Sequence, residues 1–134
     1  MPLPGVVPFP PQFARKYREK GYWRDKSLRD EFDEVFKKFS SRVGLIDGQT
    51  QYTYGQIDQH STNLALNLLE LGLKPLDRVV PTLANITEFV ILYFALQKIG
   101  AIPIAALATH RFAEISQFVR LSGATACFYP ERQG

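Results

Sequence analysis

The stretch Asp77–Arg111, DRVVPTLANITEFVILYFALQKIGAIPIAALATHR, decides the fold of this chain. It opens on a short apolar run (Val79 to Leu83), passes into helical sequence opened by Asn85, and closes on a second apolar run, Ala101 to Leu107. Two strand-like runs bridged by a helix make a βαβ unit, and strands joined by such a crossover lie parallel. The helix carries Ile86, Phe89, Val90, Ile91, Leu92, Tyr93, Phe94, Ala95 and Leu96 with almost no polar side. That composition predicts burial around most of its circumference rather than along one stripe. Parallel sheets are covered on both faces, which accounts for the lack of alternation in either run. Pro81 conflicts with a central strand, which needs its N–H for the ladder, so the strand is expected to bend there or to begin after the proline.

Upstream, the chain supplies further punctuation. Residues 1 to about 12 hold five of the nine prolines and read as an extended arm. Residues Pro11 to Trp23 fit a short helical turn that lays Phe13, Tyr17, Tyr22 and Trp23 against the body. Ser27 followed by Asp30 resembles a capping box, and Leu28, Phe32, Val35, Phe36 and Phe39 recur at helical spacing after it. In VGLIDGQTQYTY, two β-type runs flank Asp47-Gly48, a hairpin signal. Thr53 and Gln56 then form a second capping box at the head of a helix, Tyr54 to Leu71. Its inner face is read as Ile57, Leu64, Leu68 and Leu71, broadened by Ala65, Leu66 and Leu69, and Gly72 ends it in the left-handed conformation.

Asn85 with Glu88 repeats the cap at the central helix, and Gly100 repeats the stop. Downstream, a helix over Phe112 to Leu121 turns Ile115, Phe118, Val119 and Leu121 inward, and Ala124 to Tyr129 reads as a strand. The order from Gln51 is therefore β-α-β-α-β-α-β, which predicts an α/β fold: a partial doubly wound, mainly parallel sheet with helices on both faces and right-handed crossovers. The division is an arm over residues 1–26 and an incomplete α/β unit over 27–134.

Totals narrow the function classes. A chain of 134 residues, 46% hydrophobic and 22% charged, is one globular domain with a real core. The basic residues of ARKYREKGYWRDK are interleaved with Glu19 and Asp25, so at a net charge of +3 they read as a solvated face, and no nucleic-acid partner is expected. The apolar run FVILYFAL is far shorter than the roughly 18–20 residues that span a bilayer. With no export signal, a soluble cytoplasmic chain without a membrane partner is expected. Cys127 is the only cysteine, which excludes an internal disulfide, and it reads as a buried small hydrophobe.

Catalytic patterns are sought and not found. The nine glycines are scattered, without the clustered spacing of a phosphate-cradling loop. His60 sits on the polar side of its helix, and Ser116 and Ser122 have no sequence-local base. His110 falls between a strand end and a helix start, where doubly wound folds place ligands. With no carboxylate pair nearby it reads first as a helix-entry or packing residue and second as a ligand contact. No residue reads as catalytic, cofactor-binding or metal-ligating. Thr53, Gln56, Gly72, Asn85, Glu88 and Gly100 read as structural motif residues.

Taken together, several segments resemble the opening of an adenylate-forming enzyme, most closely the stand-alone aryl acid–AMP ligases. They are FARKYREKGYW, IDGQTQYTYGQI, and ANITEFVILYFALQKIGAIPIAAL followed by THR. YTYGQI is similar to a first core motif, Leu-Thr-Tyr-x-Glu-Leu, and LQKIGAIPI to a second of the type Leu-Lys-x-Gly-Ala-x-x-x-Pro. Both motifs belong to the wider superfamily, whereas the Tyr-Arg-Glu-Lys-Gly-Tyr-Trp arm and Thr109-His110-Arg111 point to the aryl acid branch. Departures are Leu76 in place of the glycine of Gly-Asp-Arg, Pro81 at a strand position, and Ala84-Asn85 for Pro-Asn.

The resemblance implies that a complete enzyme would use ATP and Mg2+ to adenylate 2,3-dihydroxybenzoate or salicylate in siderophore assembly and pass the acyl group to an aryl carrier protein. It also implies that the ATP loop, the acid pocket and the catalytic lysine come later than residue 134. The partner of this chain is then the remainder of the ligase, and alone it is expected to be inactive, without cofactor, and prone to self-association. Two other readings stand beside it: a fragment of another adenylate-forming enzyme such as an acyl-CoA synthetase, and a non-catalytic α/β interaction module.

Overall fold

The computed structural model describes residues 6–130. Five helices and five strands follow in the order α1 (Pro11–Glu19), α2 (Leu28–Lys38), β1 (Val43–Asp47), β2 (Thr50–Thr53), α3 (Tyr54–Glu70), β3 (Arg78–Pro81), α4 (Thr87–Ile99), β4 (Ile102–Pro103), α5 (Phe112–Ser122) and β5 (Ala126–Phe128). The strands form two sheets: an antiparallel hairpin of β1 and β2, and a parallel sheet in the order β4-β3-β5. The alternation read from Gln51 onward thus joins two sheets, because β2 pairs back onto β1 and α3 carries the chain away to start the parallel layer.

The core lies between that layer and the paired helices α3 and α4. Ala65 and Leu68 of α3, Leu92, Ala95, Leu96 and Ile99 of α4, Val79 of β3 and Ala101 form one buried cluster, with Ala126 and Phe128 packed against it. Alanines at facing positions let the two helices approach closely, and among the residues of α4 only Glu88 is exposed. Side chains alternate along a strand. Val80 and its neighbour Cys127 therefore take the opposite side from Val79 and Ala126, the side on which α5 lies. The parallel sheet accordingly has helices on both faces.

Both capping boxes form, Ser27 with Asp30 and Thr53 with Gln56. Gly72 (φ +95°) and Gly100 (φ +72°) terminate α3 and α4 in the left-handed region. A close approach imposes another glycine: a Cβ on Gly44 would lie 2.9 Å from the Tyr54 ring, which packs onto the backbone where the hairpin register shifts.

Several expectations are corrected. Asn85 and Glu88 do not cap α4: its N-cap is Ile86, without a side-chain cap bond from that residue. β3 neither bends at Pro81 nor starts after it but ends there, since a last residue needs only its carbonyl, which accepts from Ala106 N–H (3.1 Å). β4 is two residues rather than the run to Leu107, although Ile102, Ile104 and Ala106 all donate to β3 or its immediate upstream residue. Leu66, Leu69 and Leu71 are exposed rather than inward, because the buried stripe of α3 is Ile57, Ser61, Ala65 and Leu68, and Leu121 is exposed on α5, a helix with no buried residue. The small hydroxyl of Ser61 fits that stripe by donating to Asp58 O (3.0 Å).

The aromatic arm differs most. Phe9, Phe13, Tyr17, Tyr22 and Trp23 stack on one another, with Phe9–Trp23 centroids at 5.0 Å, and no residue of α1 is buried. Ion pairs link this cluster to α2, Arg24 with Glu31 and Lys26 with Glu34. Residues 1–5 of the arm lie outside the described residues. Leu76 adopts φ +71°. This is the conformation that glycine takes without a Cβ penalty, so it explains why glycine is usual at this place in the resembled motif.

Candidate functional site

In a parallel sheet, helix C-termini lead into the amino ends of strands, and ligand crevices open beyond the carboxyl ends. Gly72 and Gly100, at the C-termini of α3 and α4, therefore occupy the end away from any such crevice. There the Gly100 carbonyl accepts from Leu76 N–H (2.8 Å), closing the amino end of the layer. Thr53 and Gln56 sit at the hairpin–helix junction, where Thr53 N–H donates to Gln56 Oε1 (2.8 Å) and Gln56 N–H to Thr53 Oγ1 (3.2 Å). The structure places these residues at chain turns and brings none of them together around a common cavity.

The carboxyl end carries two hollows. The larger, about 1080 Å³, opens between α5 and the ends of β3 and β5 and is lined by Thr82, His110, Arg111, Phe112, Ile115 and Cys127 among others. The smaller, about 370 Å³, lies between the loops after β3 and β4, with Asn85 and Phe89 on its wall. Asn85 thus borders a hollow instead of capping a helix.

His110 is held by packing. Its Nδ1 accepts from Leu107 N–H (3.1 Å), and its ring meets Phe118 edge-on at 5.2 Å. That bond leaves Nδ1 without its proton in the neutral ring, so any proton on the ring sits on Nε2. Immediately after it, α5 begins under a carboxylate: Glu114 accepts from its own backbone N–H and from Arg111 N–H (2.9 Å), which in that order hold its carboxyl below the usual range. Cys127 is half-buried on the cleft wall rather than enclosed, and burial pushes its thiol up. Ser116 shares the cleft with His110, but His110 has Nδ1 committed to the backbone. The arrangement positions and packs; it does not set a nucleophile against a free base.

Three anchors escape sequence reading. Asp47, in the hairpin turn, accepts from Thr87 N–H (3.1 Å) and Thr87 Oγ1–H (2.8 Å), so the cap of α4 comes from 40 residues upstream. Lys98 reaches Asp58 (2.6 Å) and Asp33 (3.3 Å), tying α4 to α3 and α2 with its own side chain largely enclosed. Arg78 donates to the carbonyls of Ser122 (2.9 Å) and Gly123 (3.3 Å), holding the end of α5 against β3. Only Asp47 carried a local signal, its Asp-Gly turn, and that signal pointed to a different role.

No ATP or Mg2+ site is assigned to the described residues. They include no cluster of three or more His, Cys, Asp or Glu able to hold a metal ion. The positive-φ glycines, Gly21, Gly48, Gly72, Gly100 and Gly123, are dispersed over helix ends and a turn rather than gathered into one anion-binding loop. No helix among these residues is long and apolar enough to cross a membrane.

The partial parallel layer is accompanied by a family match: the model described as AMP-binding enzyme covers residues 32–134, and the chain belongs to this family of adenylate-forming enzymes. Within the family, its similarity runs to aryl acid ligases. It is 35% identical over 129 residues, 96% of its length, to the 2,3-dihydroxybenzoate-AMP ligase of Bacillus subtilis (strain 168), of which it covers 24%. Triostin synthetase I of Streptomyces triostinicus is 42% identical over 124 residues, 92% of this chain and again 24% of that protein. The apo structure of Mycobacterium smegmatis MbtA superposes with a TM-score of 0.87 at 35% identity, over 92% of this chain and 23% of that one. The chain therefore spans about a quarter of the length of the relatives it matches.

Proposed function

We propose that this chain supplies the framework of an aryl acid–AMP ligase, residues 1–26 forming an appended arm and 27–134 part of the α/β layer. The observation that carries the reading is the reach of the similarity. The family match begins at residue 32, whereas the likeness to the 2,3-dihydroxybenzoate-AMP ligase takes in 96% of the chain and so includes arm residues. The arm distinguishes the aryl acid branch from the superfamily at large.

In the complete protein, the carboxylate of 2,3-dihydroxybenzoate or salicylate attacks the α-phosphorus of ATP in the presence of Mg2+, forming an acyl adenylate and releasing pyrophosphate. The pantetheine thiol of an aryl carrier protein then takes the acyl group, and AMP leaves. The residues described here act by holding helices and loops in place. ATP–pyrophosphate exchange with either acid tests this: the 134-residue chain alone is expected to show none, and acid-dependent exchange by it would refute the framework role.

A second acceptor is favoured by one observation. A Streptomyces relative, 35% identical over 130 residues, bears the name salicylyl-CoA synthase / salicylate adenylyltransferase. Coenzyme A in place of a carrier thiol follows if the complete protein forms aryl-CoA faster than aryl-carrier thioester. In isolation the open strand edge favours self-association, and a strictly monomeric chain in sedimentation at high concentration would refute that.

A further inference from the structure

On one side of the parallel sheet the chain closes itself. α3 and α2 lie against α4, and Lys98 of α4 ties it to Asp58 and Asp33. α3 is therefore an outer wall on a finished side. Its buried stripe is Ile57, Ser61, Ala65 and Leu68. Leu66 lies about two and a half turns beyond Ile57 and so points the opposite way. It is 55% exposed, and Leu69 and Leu71 are 46% and 78% exposed. α2 meets α3 at its first turns, where the Phe36 and Tyr54 rings stand 6.1 Å apart and Asp33 shares Lys98 with Asp58. The later turns carry their leucines bare.

The outer face of a surface helix is ordinarily polar and charged. Here Glu70 is the only Asp, Glu, Lys or Arg from Gln59 to Leu73. Depletion of charge around exposed apolar side chains marks the centre of a protein–protein contact. It also selects the partner. A strongly acidic or basic surface finds no complement here, whereas two copies of this face meet with almost no like-charge repulsion. The spacing is self-complementary as well. Thr62, Leu66 and Leu69 follow one another at four and three residues, the spacing of a helix–helix seam. Laid antiparallel about a two-fold axis, two copies seat Leu66 of one on Leu69 of the other, and symmetry repeats the pair. Glu70 then lies level with Ala65 of the other copy rather than with its own counterpart. The antiparallel arrangement also sets the two helix dipoles against each other favourably.

We infer that the outer face of α3, centred on Leu66 and Leu69, is a surface on which two copies of this chain pair antiparallel. From Thr62 to Leu71 the helix is about 14 Å long. The contact is thus smaller than the ~800 Å² per partner of a stable interface, and the pair forms and separates with concentration. This pairing is distinct from association through the strand edge, and it does not depend on which acid the complete protein activates.

The test compares the 134-residue chain with two double variants, Leu66→Lys with Leu69→Lys and Leu66→Glu with Leu69→Glu, by sedimentation equilibrium over a wide range of concentration. The parent is expected to dimerise. Each variant alone is expected to raise the dimer dissociation constant about tenfold or more, because like charges then face each other. Mixed in equal amounts, the two are expected to form a dimer with one copy of each, since lysine meets glutamate at both seats. Urea midpoints in dilute solution should match the parent's, as both positions face solvent. If the charged variants unfold earlier, Leu66→Gln with Leu69→Gln replaces them, and the same weakening is expected of it. A parent that stays monomeric overturns the inference. So do variants that associate as the parent does, which leaves the strand edge as the contact. Variants that lose association and do not recover it on mixing also overturn it, because the face would then meet a different surface.

Discussion

Replacing Asp47 probes a contact that joins two parts of the fold. Its carboxylate accepts from both the backbone N–H and the hydroxyl of Thr87 at the open end of α4. Losing a capping acceptor costs about 1 kcal/mol, within a range of roughly 0.5–2. Removing a negative charge from a helix N-terminus adds about 0.3–1 kcal/mol, at the low end here because Asp47 is exposed. Asp47→Ala should therefore destabilise the chain by about 1–1.5 kcal/mol, and Asp47→Asn, which keeps an acceptor but not the charge, by about half of that. With a urea dependence of about 1–3 kcal/mol per molar, the midpoint of Asp47→Ala falls by roughly 0.5–1 M. Asp47 also begins the hairpin turn, so the cap is isolated by a cycle with Thr87→Val. The loss at Asp47 should shrink when the Thr87 hydroxyl is already gone, because the two groups share a bond. Full additivity in that cycle, or a midpoint for Asp47→Ala equal to the parent's, would refute the assignment of the cap to the hairpin.

Three further outcomes are expected. Leu96→Ala opens a cavity in the centre of the core cluster, where Leu96 is fully buried, and should cost about 2–5 kcal/mol in chemical unfolding; a loss under 1 kcal/mol would mean that the helix pair is not the core. The Ser27 hydroxyl and N–H hold the Asp30 carboxyl below its ordinary value, so the stability it confers is present above the unfolded carboxylate range and is lost as pH falls through the folded value. The gap between the parent and Asp30→Asn should accordingly narrow on moving from pH 7 to about pH 3, and a gap that widens contradicts the capping box. Because burial raises the Cys127 thiol, iodoacetamide should alkylate the folded chain more slowly than a free cysteine at pH 8 and approach the unfolded rate only at more alkaline pH; equal rates at pH 8 would place Cys127 outside the sheet.

Some features of this molecule depend on a few adjacent residues, and those were legible in the chain. Capping boxes at Ser27 and Thr53 need only a hydroxyl and a carboxylate or amide three residues apart, and both form as read. The uninterrupted apolar character of 89–96 demanded a helix enclosed on most sides, and α4 is that helix. Asn85 shows the limit of local reading: the residue types of a cap were in place, yet the donor at Thr87 found a better charged acceptor in another element. The leucines of α3 show the same limit, since periodicity names a face but only the position of α4 decides how wide the covered part is.

Sequence by itself determined the capping boxes of α2 and α3, the glycine stops of α3 and α4, the hairpin turn, the alternation of strands and helices, and through its motifs the membership in an adenylate-forming family. All of these follow from interactions within a few residues or from local patterns. Tertiary structure alone decided that β2 leaves the parallel layer, that Asp47 caps α4, that Lys98 and Arg78 lash distant elements together, and that β3 lies between β4 and β5. Each of these depends on which groups meet across tens of residues, and chain order does not encode that distance.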